Sequence, residues 1–295
     1  FVVPEGETAG QALAILCLEG AKEKGFADKS EYIERLKYEV GVIDERGFSK
    51  YFLTMKKIAE EATRMQLTGA GRGSAAGSLA AYALGITQVD PIRYGLQFER
   101  FLTKGGSGYP DIDYDVSNPM VLKEHLINEW GDDVVVPITN WNTLQLRSLI
   151  KDISKFFDIE FTEVNAVTNK MVFEATPLAK KAHGITAGVY NPTFDELMQY
   201  SDSLQKFLRK YPEVETHVNT LYGQTRSASR HAGGVVVGEN LNKWMPLINS
   251  GGVRQTPWSE GMNVRHLEPM GFIKFDILGL ASLRMMEDAI RHVLV

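Results

Sequence analysis

The chain has 295 residues, 44% hydrophobic and 23% charged, with a formal net charge of −5. That is globular chemistry with room for two domains, and too acidic for a simple basic coat on nucleic acid. No apolar run approaches the roughly 18 residues of a membrane span, and the single cysteine, Cys17, cannot form an internal disulfide, which fits a reducing cytoplasm.

In chain order, Leu13, Leu16, Cys17 and Ala21 recur at helical spacing within 10–25, which ends in glycine. Ser30 is placed as the N-cap of a second helix with Ile33, Leu36, Val40 and Ile43 inward. A third, 51–67, buries Phe52, Met55, Ile58, Ala59 and Ala62. The glycine-rich stretch 69–77 leads to a small-residue helix at 78–84, and after an Asp90-Pro91 turn a loop delivers the acidic 111–115. Helices are expected at 121–130 and 144–157 and a strand at 133–138. A helix-rich, turn-punctuated stretch covers 175–222, strands fall at 233–238 and 271–278, and an amphipathic helix closes the chain at 281–295. Strand-like pieces near 110 and 275, with helices between, predict one sheet-bearing domain interrupted by a helical insertion. Phe1 at the start and an uncapped Val-Leu-Val at the end lead to the expectation of a piece of something longer.

Several groups could do chemistry. On an extended strand, Asp111, Asp113 and Asp115 alternate onto one face, where desolvated carboxylates repel unless a cation lies between them. Such oxygen-rich sites suit Mg²⁺ or Mn²⁺; the plain alternative is an exposed acidic loop. Asp-x-Asp also occurs in metal-dependent glycosyltransferases and in phosphatases of the haloacid dehalogenase type, although 105–109 is no hydrophobic strand, against the phosphatase. The segment Gly71-Arg72-Gly73-Ser74-Ala75-Ala76-Gly77-Ser78 combines glycines with Arg72, Ser74 and Ser78 as donors, the makings of an anion loop or of a tight helix-packing turn. It lacks the Gly-Lys-Ser/Thr ending of a P-loop. Lys274 and Asp276 share a strand face, as an ion pair or as part of a site. His231, in a polar turn, reads as a hydrogen-bonded structural residue. Arg147, Lys151 and Lys155 form an i, i+4, i+8 stripe that either tracks phosphates or is a solvated face.

Taken together, the order and wording of these elements resemble the bacterial replicative DNA polymerases of the C family. The resemblance rests on Gly71-Arg72-Gly73-Ser74-Ala75-Ala76-Gly77-Ser78, on Phe98-Glu99-Arg100-Phe101-Leu102 and on Pro110-Asp111-Ile112-Asp113-Tyr114-Asp115. It is carried further by His231-Ala232-Gly233-Gly234 and Lys274-Phe275-Asp276-Ile277-Leu278. It implies an α+β fold: a nucleotidyltransferase-type palm with a mixed twisted sheet over 1–140 and 223–295, interrupted by a mainly helical thumb at 141–222, with the family's PHP and fingers domains absent.

The resemblance implies DNA-templated nucleotide addition by two-metal phosphoryl transfer, with Asp111, Asp113 and Asp276 as catalytic and metal-holding residues. The ions would be two Mg²⁺, with Mn²⁺ as substitute. Arg72, Gly73, Ser74, Ser78, Lys274, Arg100 and Arg230 are implied as nucleotide contacts, and Arg147, Lys151 and Lys155 as DNA contacts. Partners would be primer-template DNA and a dNTP, with a sliding clamp and other replisome subunits reached through regions outside this chain, and no membrane. The alternatives are a fragment that grips DNA without catalysis and an Asp-x-Asp glycosyltransferase.

Overall fold

The computed structural model describes residues 3–260 and 265–294, so the terminal Phe1 and Val295 lie outside the described residues. The chain divides into two compact units. The first comprises the segments up to Asn140 and from Ser229, and the second runs Trp141–Ala228.

The first unit opens with α1 (Ala9–Glu23), α2 (Ser30–Glu45) and α3 (Ser49–Met65). A capping box starts α1, with Thr8 accepting from Gln11 N–H and the Gln11 side chain returning to Thr8 N–H. The expected stripes are buried apart from the partly covered Leu16: Leu13, Cys17 and Ala21 in α1, and Phe52, Met55, Ile58, Ala59 and Ala62 in α3. Phe52 is fully enclosed, its ring edge-on to Phe101 at 6.0 Å. Phe52→Ala should cost about 3–5 kcal/mol of stability, read by urea denaturation of the two proteins.

A short 3-10 turn at Ser74–Gly77 leads into the single-turn helix α4 (Leu79–Ala83), and a second 3-10 turn covers Phe98–Arg100. Then follow β1 (Asp113–Val116), α5 (Pro119–Trp130) and β2 (Val135–Thr143). After the second unit the chain returns through β3 (Thr225–Val237), the hairpin β4 (Ile248–Ser250) and β5 (Val253–Gln255), β6 (Lys274–Gly279) and α11 (Ala281–Leu294), where α6 to α10 are the helices of the second unit.

The main sheet has the order β1-β6-β3-β2 and is mixed, β6 running parallel to β1 and antiparallel to β3. Strand alternation sends Tyr114 and Val116 into the helical core and leaves Asp113 and Asp115 on the other face. A smaller apolar cluster, including Val136, Ile138, Val236 and Leu267, packs separately. Among the described residues no helix is long and apolar enough to cross a membrane.

Two sequence boundaries need correction. The strand expected at 133–138 continues to Thr143, and that expected at 233–238 begins at Thr225. The added residues of both strands are largely exposed, so they lack the one-sided hydropathy that marks a half-buried strand. Trp141 and Asn142 therefore lie on β2.

The second unit holds α6 (Leu146–Phe156), α7 (Phe161–Ala182), α8 (Phe194–Tyr200), α9 (Asp202–Lys210) and α10 (Pro212–Leu221). Its own core includes Leu149, Ile150, Val164, Met171, Leu204 and Val214.

Candidate active site

Parallel pairing of β1 with β6 sets Asp113 opposite Asp276, and Asp111 lies just ahead of β1. The entry to β1 is held by Ile112 N–H donating to Tyr51 Oη at 3.2 Å, and the Tyr51 ring stacks on Phe275 of β6 at 4.7 Å. One carboxylate oxygen from each of Asp111, Asp113 and Asp276 falls within 4.8 Å of the others. Lys274 Nζ donates to Asp276 Oδ2 at 2.6 Å and lies 3.8 Å from Asp111 Oδ1, so an ammonium supplies local counter-charge.

Burial, and then the Asp276 charge against the Lys274 ammonium, leaves Asp111 titrating above the ordinary carboxylate range. Asp113 is raised first by burial and then by Asp276. Burial pulls Lys274 down, but its hydrogen bond to Asp276 and the carboxylates around it outweigh that and hold its pKa up.

Asp276 is 6% exposed, and its Oδ1 has no hydrogen-bond partner. Buried carboxylate oxygens are rarely left so. Three hard oxygen donors, one of them unpartnered, fit Mg²⁺ or Mn²⁺. Because Asp111 and Asp113 hold protons more tightly than usual, a cation must compete with those protons. Mn²⁺ affinity should therefore weaken on acidification at pH values where ordinary aspartates remain ionised, as a calorimetric pH series would show.

Asp115 leaves this group. Its Oδ1 accepts from Arg72 Nη1 at 2.9 Å, while its carbonyl accepts from Gly69 N–H. With Thr68 bridged to Val116, these contacts tie the glycine loop to the edge of β1. Strand alternation alone does not separate Asp115 from Asp113; the arginine does. Asp115→Asn is expected to change Mn²⁺ affinity less than about threefold, because Asp115 stands outside the three-carboxylate group and its carboxylate is paired with the half-exposed Arg72. A larger loss in the same titration would place Asp115 among the ligands.

At Gly73 the backbone is left-handed, with φ +65°, and a Cβ there would come 3.3 Å from Asp113 Oδ2, so the loop passes directly beside the carboxylates. Gly73, Ser74, Gly77, Leu96, Gln97 and Arg100 line a cleft of about 410 Å³. Arg72, Gly73, Ser74 and Arg100 thus stand around the loop. Ser78 does not. It is fully buried, caps α4 by accepting from Ala81 N–H, and donates to Glu39 Oε2 at 2.9 Å. Glu39 also accepts from Ala80 N–H, so the start of α4 already holds an anion, the protein's own carboxylate.

On the other side, a cleft of about 450 Å³ is lined by Tyr109, Asp111, His231, Arg265, Phe272 and Lys274, among others. His231 Nδ1 accepts from Gly233 and Gly234 N–H, which leaves its proton on Nε2, and burial lowers its pKa. Arg230 is directed elsewhere: its guanidinium donates to Met120 Sδ on α5, and it lines neither cleft. Close by, Lys123 of α5 is 1% exposed and donates to the Ala232 carbonyl. Glu39, Arg35 and Lys123 do not stand out in the sequence, although Glu39 sits three residues from Leu36 and four from Ile43, on the buried face of α2.

In the second unit, the stripe along α6 is partly engaged. Arg147 donates to Asn169 of α7, and Lys151 donates to Asn165 and lies over the Phe161 ring at 5.6 Å. Arg147 and Lys155 are exposed, and Lys151 is half-buried.

A profile of the bacterial DNA polymerase III alpha NTPase domain matches residues 11–279. The chain belongs to this family. It is 32% identical, over 99% of its length, to the DNA polymerase III subunit alpha of Aquifex aeolicus, covering 27% of that protein. It is 34% identical over 98% of its length to the Bacillus subtilis subunit and 33% over 89% to that of Yersinia pestis, covering 25% and 21% of those proteins. The chain thus spans about a quarter of the length of the curated relatives it matches.

Proposed function

We propose that the chain is the catalytic core of a DNA-templated DNA polymerase, adding deoxynucleotides to a primer 3′-hydroxyl with release of pyrophosphate. The observation that carries this reading is the convergence of Asp113 of β1, Asp111 just ahead of it and Asp276 of β6, with a buried unpartnered oxygen among them. The first unit is the palm and the second the thumb. Asp111, Asp113 and Asp276 would hold two Mg²⁺ ions, with Mn²⁺ as substitute. Bound divalent cations supply the charge that lowers the pKa of the attacking hydroxyl and neutralises the departing pyrophosphate.

The protein's own groups do the rest. Ser74 and Arg100 line the cleft that takes the triphosphate, and left-handed Gly73 lets the backbone approach it. Arg72, half-exposed on its Asp115 tether, adds charge beside the carboxylates. Lys274 balances the charges of Asp111 and Asp276 and is the ammonium placed to reach a phosphate oxygen of the nucleotide. Arg147, Lys151 and Lys155 hold the primer-template backbone, with specificity left to base pairing. The larger relatives' other regions would supply any sliding-clamp and replisome contacts, in the cytoplasm of a bacterial or phage-infected cell.

The test is calorimetric titration of the chain with Mn²⁺ plus a dNTP, against Mn²⁺ plus a nucleotide-sugar. Binding of the dNTP alone supports the polymerase reading. Binding of the sugar nucleotide instead would transfer the site to a glycosyltransferase.

A further inference from the structure

Behind the glycine-loop cleft lies a half-buried ion pair that the proposed chemistry does not use. Arg35 and Glu39 are one turn apart on α2, with Arg35 Nε donating to Glu39 Oε1 at 2.6 Å. Glu39 is fully buried, and its other oxygen takes Ser78 Oγ and Ala80 N–H. Arg35 Nη2 donates outward to two carbonyls, Gly77 O at 3.1 Å and Leu96 O at 3.3 Å. Gly77 and Leu96 belong to different segments of the cleft wall, the same walls that carry Ser74 and Arg100.

Neither wall is part of a sheet; each is a loop ending at a 3-10 turn. Their approach is already close, since a Cβ on Gly77 would meet Gln97 O at 2.6 Å. The spacing between them is therefore set by backbone contact and by the Arg35 guanidinium, which bridges them from behind. An ion pair with its carboxylate fully buried is a poor source of net stability, and the best-attested use of such pairs is to enforce one arrangement among several. A guanidinium suits this task, because its planar donors serve a carboxylate and two carbonyls in a fixed geometry that an ammonium cannot reproduce.

We propose that Arg35 and Glu39 are positioning residues that set the width of the triphosphate cleft, so that Ser74 and Arg100 reach the same polyphosphate. This rests on the reading of that cleft as the nucleotide's. The pair touches no substrate. It acts through the Gly77 and Leu96 carbonyls and through the Ser78 cap.

The experiment compares the chain with its Arg35→Lys and Glu39→Gln variants, titrating each with Mn²⁺ alone, with inorganic tripolyphosphate, and with dNTP plus Mn²⁺, alongside thermal denaturation. Arg35→Lys keeps the charge beside Glu39 but not the double bridge. It is expected to weaken dNTP and tripolyphosphate about tenfold or more, since small displacements of binding groups are costly. Mn²⁺ alone should bind within about twofold of wild type, because the carboxylates are untouched. Glu39→Gln keeps an acceptor for Ser78 and loosens the arginine's anchor, so it should show a smaller loss in the same direction and remains informative if Arg35→Lys fails to fold. Wild-type polyphosphate affinity in a folded Arg35→Lys or Glu39→Gln protein would overturn the proposal. So would equal losses for Mn²⁺ and polyphosphate, which would mark general destabilisation. Failure of the unsubstituted chain to bind tripolyphosphate would instead overturn the underlying reading of the cleft, and this inference with it.

Discussion

On the polymerase reading proposed above, Asp113→Asn is expected to lower primer extension at least about 10³-fold while leaving the fold intact. Asp113 is the register partner of Asp276 and the carboxylate nearest Gly73, so its charge lies at the centre of the group. Asparagine keeps its shape and removes one anionic ligand. In the metal-free protein that removal also relieves repulsion. Asp111 and Asp113 titrate above their ordinary range, so folding favours their protonated forms, and they cost stability as pH rises through that raised range. The variant should accordingly be at least as stable as wild type at neutral pH without metal, and should gain less from Mn²⁺. Primer-extension assays and thermal midpoints with and without Mn²⁺ check both statements. Near-normal extension by the variant would remove these carboxylates from the chemistry.

The second large effect concerns Lys123. Burial, with Arg230 nearby, brings its ammonium down to about 8, against the attraction of Asp276. Its unfolded counterpart titrates near the usual lysine value, about 10.4. Below pH 8 both states are protonated and the folded state carries the cost of a buried charge. Between about 8 and 10.4 the unfolded chain binds more protons, so stability rises with pH, and above that range the cost is gone. Lys123→Met fills the same space without the charge. Wild type should therefore gain about 3 kcal/mol relative to Lys123→Met between about pH 7.5 and 10.5, because each tenfold change in proton affinity between the two states is worth about 1.36 kcal/mol. Urea denaturation of both proteins at the two pH values measures this. A difference between them that does not vary with pH would mean that the ammonium is solvated in the folded state. The lost hydrogen bond to the Ala232 carbonyl offsets part of the benefit at neutral pH but not the pH dependence.

Residues whose role follows from local spacing were legible without coordinates. The apolar stripes of α1 and α3 needed only helical periodicity, and Lys274 beside Asp276 needed only strand alternation. The family was legible too, because its motifs are contiguous and in order, and the profile match to residues 11–279 agrees.

What depended on distant pairing was not. By spacing alone Asp111, Asp113 and Asp115 look equivalent, and only the family resemblance sets Asp111 and Asp113 with Asp276; the physical reason lies in the parallel register of β1 with β6, which brings Asp276 to Asp113, and in Arg72, which holds Asp115. Ser78 looks like a phosphate donor beside glycines, yet α2 buries a carboxylate against it. Glu39 and Lys123 sit on the inward faces of their helices, beside Leu36 and Leu126, where a charged residue is easily taken for the polar side. Periodicity assigns such residues a face. Only tertiary structure supplies the partners that make a buried charge tolerable, because those partners come from segments far away in the chain.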